Sequence, residues 1–203
     1  MSKKLNINTV NEFWEWFSAN CQNFGQSFDN AYLINELDVW VQRLGGFTWE
    51  IGPGKTMENA LTISPNGNLE LLPYTKEIIS MAPKCNGWEY YFAKQPKQWE
   101  MIFDFETESG NTIEIDASRW EYVLLKYEDG LYGVIIKFIQ SDQLSDNDKI
   151  MAAEIALDGV LGEGKRIQFI DELEFVEEFE DRYNGKASRF KNIALHFNQL
   201  LQS

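Results

Sequence analysis

Trp120-Glu121-Tyr122-Val123-Leu124-Leu125-Lys126-Tyr127-Glu128-Asp129-Gly130-Leu131-Tyr132-Gly133-Val134-Ile135-Ile136-Lys137-Phe138-Ile139 is the stretch whose reading decides the fold. Asp129-Gly130 is a strong hairpin signal, because both residue types tolerate the positive φ that a tight turn between twisted strands needs. The arms, Tyr122 to Tyr127 and Leu131 to Ile139, are apolar at successive positions rather than at alternate ones. Strands with that pattern are central and covered on both faces. A cover follows directly. Ser145-Asp146-Asn147-Asp148 caps a helix carrying Ile150, Ala153, Leu157 and Leu161, closed by Gly162. Ile167 to Ile170 then reads as a strand, so the order is hairpin, helix, strand.

The same order stands earlier in the chain. Trp49 to Ile51 and Leu61 to Ile63 read as strands joined through Gly52-Pro53-Gly54. A helix with Pro73 in its first turn ends before Pro83, and Gly87 to Ala93 returns as a strand. Each copy opens on Trp-Glu, at Trp49-Glu50 and Trp120-Glu121, which makes a duplicated unit one reading and two unrelated units the other. Before the first copy, Thr9 and Glu12 form a capping-box pattern ahead of Val10, Phe13, Trp14, Phe17 and Cys21 at helical spacing. A second helix from near Ser27 buries Leu33, Leu37, Trp40, Val41 and Leu44 and stops at Gly45-Gly46. A last helix carries Phe190, Ile193, Ala194, Phe197 and Leu200. The expected fold is α+β, with helices packed on a mixed or antiparallel sheet and a helix at each end. It is read as a single domain over 1–203, with a helical part at 1–45, a first αβ unit at 46–99, an acidic second unit at 100–181 and a basic C-terminal helix at 182–203.

Charge is segregated along this order. Residues 100–181 hold 22 of the 32 acidic residues against 6 Lys and Arg, while residues 182–203 hold four bases and no acid. The net charge of −14 therefore comes almost wholly from one segment and produces a local negative field. Such a field argues against nucleic acid and an anionic membrane surface as direct partners, and it favours a basic protein, a divalent cation, or nothing beyond solubility. Met1 to Ile7 has two lysines but no apolar run of the kind a secretory leader carries, and no apolar stretch approaches the ~20 residues of a membrane span. Cys21 and Cys85 lack CxxC spacing and do not make a disulfide framework. The expectation is a cytoplasmic protein with reduced thiols.

Catalytic constellations and cofactor fingerprints are absent from the sequence. His196 is the single histidine, and triads or zinc sites need further partners, so it is read as a surface or boundary residue. No general base is evident for either cysteine. Gly45-Gly46 and Gly52-Pro53-Gly54-Lys55 lack the phosphate-loop order and are explained as a helix stop and a turn. No cofactor is expected, and an enzymatic role is disfavoured.

Two acidic features remain. Met101, Phe103 and Phe105 alternate with Asp104 and Glu106, and Ile113 and Ile115 alternate with Glu114 and Asp116. A three-residue loop, Glu108-Ser109-Gly110, would pair Phe105 with Ile113 and set Asp104 opposite Glu114, flanked on that face by Glu106 and Asp116. Like charges directly opposite are destabilising, so this face is either solvated or holds a cation, with oxygen ligands suited to calcium or magnesium. A carboxylate pair of this kind is also what a hydrolase would use as acid and base. The solvated face is the preferred reading. Residues Asp171 to Asp181 carry seven acids in eleven positions. With Leu173, Phe175 and Phe179 facing the core, Glu174, Glu177, Glu178 and Asp181 form an exposed ridge for a basic partner, as an immunity protein or antitoxin would offer. The competing reading has Arg182, Lys186, Arg189 and Lys191 neutralise that ridge internally.

The motif order resembles an uncharacterised family of bacterial proteins. The resemblance rests on Phe13-Trp14-Glu15-Trp16-Phe17, Leu61-Thr62-Ile63-Ser64-Pro65-Asn66-Gly67-Asn68 before Glu70-Leu71-Leu72-Pro73, Ala82-Pro83 with Gly87-Trp88, and Ala156-Leu157-Asp158-Gly159-Val160-Leu161-Gly162-Glu163. It spans roughly residues 8 to 171. It implies a bacterial, intracellular α+β protein and lends no catalytic residue.

Overall fold

Both hairpins of the second half close through a three-residue loop that ends on glycine. Thr107 and Tyr127 donate their backbone N–H groups to the Asn111 and Leu131 carbonyls at 2.9 Å, and Gly110 and Gly130 take φ of 80° and 85°. Asp129-Gly130 is thus the end of a turn that also includes Glu128, one residue more than a two-residue turn. The left-handed residue after a type I turn belongs to this loop length. The computed structural model describes residues 5–25, 27–138, 144–183 and 185–202, so Ile139 of the expected second arm lies outside the described residues.

The chain divides into two compact units, Met1–Lys94 and Gln95–Ser203, where the sequence reading expects one domain. The first has a three-stranded sheet and one hydrophobic cluster; the second has a two-stranded and a four-stranded sheet and two clusters, and each has its own helices. In the first unit, α1 (Ile7–Asn20) is capped by Asn6, whose side chain accepts from the Asn8 and Thr9 N–H groups. The cap therefore lies three residues before the Thr9 position read from the capping-box pattern; an asparagine oxygen there serves the same orphan donors. Asn30 caps α2 (Ala31–Leu44). Strands β1 (Thr48–Pro53) and β2 (Asn59–Ser64) pair antiparallel, α3 (Leu72–Ser80) follows with proline in its first turn, and β3 (Trp88–Tyr91) returns parallel to β2. Two indoles add side-chain hydrogen bonds to carbonyls at helix ends. Trp88 Nε1 donates to the Cys21 carbonyl at 3.0 Å after α1, and Trp14 Nε1 donates to Ile78 near the end of α3 at 2.9 Å. Glu89 on β3 takes the Lys55 and Thr56 N–H groups and the Thr56 and Tyr91 hydroxyls. Led by the Thr56 hydroxyl, these donors hold its carboxyl down to about 2.

The second unit begins with the hairpin β4 (Ile102–Glu106) and β5 (Thr112–Asp116). Strands β6 (Glu121–Lys126) and β7 (Tyr132–Lys137) then pair antiparallel. Helix α4 (Asp146–Leu161) carries the expected cap, here a complete capping box between Ser145 and Asp148. Residues 163–169, with Ile167 to Ile170 expected as a strand, instead form α5 (Glu163–Phe169). Gly162 at φ 83° ends α4, and the helix restarts at once, bringing Arg166 back onto α4. The strand β8 (Ile170–Val176) begins only afterwards and runs parallel to β7. The two-residue β9 (Ser188–Arg189) pairs with the start of β6, and α6 (Ile193–Leu201) closes the chain. Sheet order is β8-β7-β6-β9. In both units a hairpin, one or two helices and a strand parallel to the hairpin's second strand follow in that order, so the shared pattern read from the sequence is a shared topology. The architecture is α+β, with helices at both ends. No helix among the described residues is long and apolar enough to cross a membrane.

β6 and β7 are covered on both faces, as their continuous apolar runs require. Tyr122, Tyr132, Val134 and Ile136 join Ala153, Ala156, Leu157, Phe190 and Phe197 on the helical face. Val123 and Ile135 meet Tyr183, Val176 and Phe179 on the other. The α4 face is built from alanines, and Ile150, expected in the core, is 40% exposed. Asp158 and Glu163, in the Ala156–Glu163 segment, bracket a buried cation. Arg166 is 7% exposed and bonds Asp158 at 2.5 Å and Glu154 at 2.9 Å, within the field of the fully buried Glu163. Gly159 admits no side chain, since a Cβ there would lie 2.2 Å from the Trp99 ring. Substituting Arg166→Met strands the buried carboxylates without their cation. The expected loss of stability is about 3–5 kcal/mol, read as a lowered urea midpoint by far-ultraviolet circular dichroism. An unchanged midpoint would show that the cluster contributes nothing.

Candidate functional site

The acidic hairpin adopts the register expected for it: Phe105 lies opposite Ile113 and Asp104 opposite Glu114. Phe105 and Ile115 point into the core, while Asp104, Glu106 and Glu114 are exposed on the outer face. Asp116 is not part of a common cluster. Its side chain accepts from the Ser118 N–H at 3.1 Å and from the Ser118 hydroxyl, capping the 3-10 turn Ala117–Arg119. Glu106 faces Thr112 across the ladder. Among the described residues no three His, Cys, Asp or Glu side chains converge on a point that a metal ion could occupy.

The carboxylate with a fixed job beside this hairpin is Asp148, which the sequence reading treats only as part of a helix cap. It is 4% exposed and accepts from the Glu108 N–H at 2.9 Å as well as from the Ser145 N–H and hydroxyl. The Glu108 N–H, first among these donors, holds its carboxyl below the usual range. Glu108 reciprocates by accepting from the Asn147 amide and by sharing the one Ser145 hydroxyl proton with Asp148, so the β4–β5 loop and the start of α4 are bonded in both directions. Nothing in the spacing of Glu108 and Asp148, forty residues apart, signals this.

The second acidic feature is an edge strand. β8 pairs only with β7, which leaves its other side at the margin of the sheet. Leu173 and Phe175 pack on the helical face, as expected. Phe179 does not join them; with Val176 it covers Val123, Ile135 and Tyr183 on the opposite face, because the chain turns after β8. Glu174, Glu177, Glu178 and Asp181 are all exposed, as the ridge reading requires. Their surroundings differ. Glu178 is paired with Lys137 of β7 at 2.6 Å, and Glu180 with Arg182 at 2.8 Å. Glu172 accepts from Tyr127 Oη at 2.7 Å, and this bond pushes the Tyr127 phenol up to about 12. The phenol reaches Glu172 across Gly133, where a Cβ would stand 2.4 Å from Tyr127 Oη. Glu174 and Glu177 have no ion-pair partner among the described residues. Of the bases expected to neutralise the ridge, Arg189 turns instead toward Glu121 at 3.9 Å.

Burial, and then the neighbouring Cys85 thiol, push the Cys21 thiol up, away from the thiolate that nucleophilic chemistry needs. No protein-family model matches the chain, and neither a curated protein nor a solved structure does.

With Asp104 and Glu114 opposed in water, reversing one charge relieves the repulsion. The variant Glu114→Lys is expected to gain about 0.2–1 kcal/mol of stability, the scale of a cross-strand pair, measured as a raised denaturation midpoint at low salt. A loss of stability would contradict the solvated-face reading of the hairpin.

Proposed function

We propose that this chain is a non-enzymatic acidic interaction module that takes a basic protein on the exposed flank of β8, in the manner of an immunity protein or antitoxin. The observation that carries the reading is the pair Glu174, on the edge strand, and Glu177, just after it, both exposed and without an ion-pair partner among the described residues. Carboxylates that are already paired have little left to offer a partner, because their desolvation is only partly repaid. Unpaired ones at an edge project their field outward and steer an oppositely charged protein into encounter. The segment 100–181 supplies the long-range part of that field, with 22 acids against 6 bases. A module whose task is to silence a basic toxin in the cytoplasm gains most from fast association, which this charge distribution provides. Nucleic acid and anionic membranes would be repelled by the same field.

The experiment is a kinetic one on a basic partner recovered from native lysate. The double reversal Glu174→Lys with Glu177→Lys is compared with Asp104→Lys with Glu114→Lys, which changes net charge equally at the other acidic face. The β8 reversal is expected to cut the association rate by about tenfold or more at low salt and to flatten its salt dependence, as electrostatic steering dictates; the hairpin reversal should do far less. Equal effects from both would reduce the ridge to general charge, and no effect from either would remove the proposal.

A further inference from the structure

His196, which the sequence reading leaves without a role, is held by a buried phenol 74 residues away. Tyr122 Oη lies 2.6 Å from His196 Nδ1. Tyr122 is 2% exposed and burial pushes its phenol up to about 12, so it keeps its proton and can donate it to the ring. A neutral imidazole that accepts at Nδ1 carries its own proton on Nε2, which fixes one tautomer. The ring lines a cavity of about 500 Å³ beside β6 and α6, within the size range of small-molecule sites.

Three of the polar groups that line this cavity can donate. Lys186, Ser188 and Gln199 line it with His196, and their side chains have no partner among the described residues. Leu124 and Leu200 supply apolar wall. The cavity is lined largely from 182–203, the segment with four bases and no acid. The acid of β6 nearest in sequence to Tyr122, Glu121, faces Arg189. An ammonium, an oriented N–H, a hydroxyl and an amide around a partly apolar hollow suit a negatively charged oxygen group, because charge-assisted bonds from such donors are the strong ones.

We propose that this cavity binds a small organic oxyanion, with its carboxylate or phosphate group on Lys186 and His196 Nε2 and its apolar part against Leu124 and Leu200. Tyr122 acts here as a positioning residue that sets the imidazole tautomer.

The single histidine makes the test direct, since its imidazole NMR signals need no assignment by mutation. Inorganic phosphate and benzoate are titrated separately at about pH 8, above the ordinary histidine range, with sodium chloride at matched ionic strength as the control. The expected result is a saturating shift of the His196 signals by at least one probe, with a dissociation constant of about 1–10 mM, the weak end of specific binding. Lys186→Gln, at an exposed position that leaves the core intact, should weaken that binding about tenfold, the factor equivalent to about 1.4 kcal/mol. Saturation by phosphate alone assigns a phosphate group, by benzoate alone a carboxylate on an apolar body, and by both a shared oxyanion subsite. Shifts that stay linear and match sodium chloride overturn the proposal, as does an unchanged affinity in Lys186→Gln.

Discussion

Burial of β7 on both faces is the constraint on which the second unit depends. Tyr132, Val134 and Ile136 face the helices, and Ile135 faces Val123, Val176 and Tyr183. A slip of one residue would exchange these sets and turn Gly133 onto the helical face, where it would leave a hole. The strand therefore has one register and must lie inside the sheet. That places β8 at the edge, since β6 already occupies the other side. The position of the acidic ridge is thus a consequence of how the core is filled. Charge on an edge strand also disfavours pairing with the edge of a second copy.

Several buried polar groups in each unit are met by specific partners, whereas Thr48 Oγ1, Tyr90 Oη and Trp99 Nε1 have none among the described residues. Indoles of Trp14 and Trp88 satisfy helix-end carbonyls in the first unit, and Asp148 satisfies the β4–β5 loop in the second. Arg166 with Asp158, Glu154 and Glu163 fastens α5 onto α4. Each of these groups would cost roughly 1–3 kcal/mol if left unpaired, more where it is charged, so each fixes a geometry as well as contributing stability. The segment Ala156–Glu163, read from the sequence as capping chemistry, is also the place where a buried arginine is held and where Trp99 crosses a glycine.

Local signals were legible where one residue type has one conformational job. Gly110 set the register of the acidic hairpin correctly to the residue, and Ser145 and Gly162 bounded α4. The spacing of the first helix is legible, but its cap is Asn6 and not Thr9, because both residue types can serve the same orphan donors and spacing does not rank the two. Ile167 to Ile170 has strand composition, yet it is helical up to Phe169; the pull of Asp158 and Glu154 on Arg166 is a tertiary effect with no local pattern. Parallel pairing of β3 with β2 and β8 with β7 carries no turn signature, so strand existence could be read and the edge position of β8 could not. At the candidate site the exposure of Glu174, Glu177, Glu178 and Asp181 followed from alternation with apolar residues. The turn that sends Phe179 to the other face, and the meeting of Tyr122 with His196, join residues far apart in sequence and leave no trace in spacing.

The central claim is that the flank of β8 is where this chain meets its partner. Backbone hydrogen exchange, measured with and without a bound basic partner, tests it residue by residue. The account predicts slowed exchange concentrated in Ile170–Val176 and the following turn to Asp181, with the β4–β5 hairpin unchanged. Protection centred on β4 and β5, with β8 exchanging as freely in the complex as in the free protein, would contradict it.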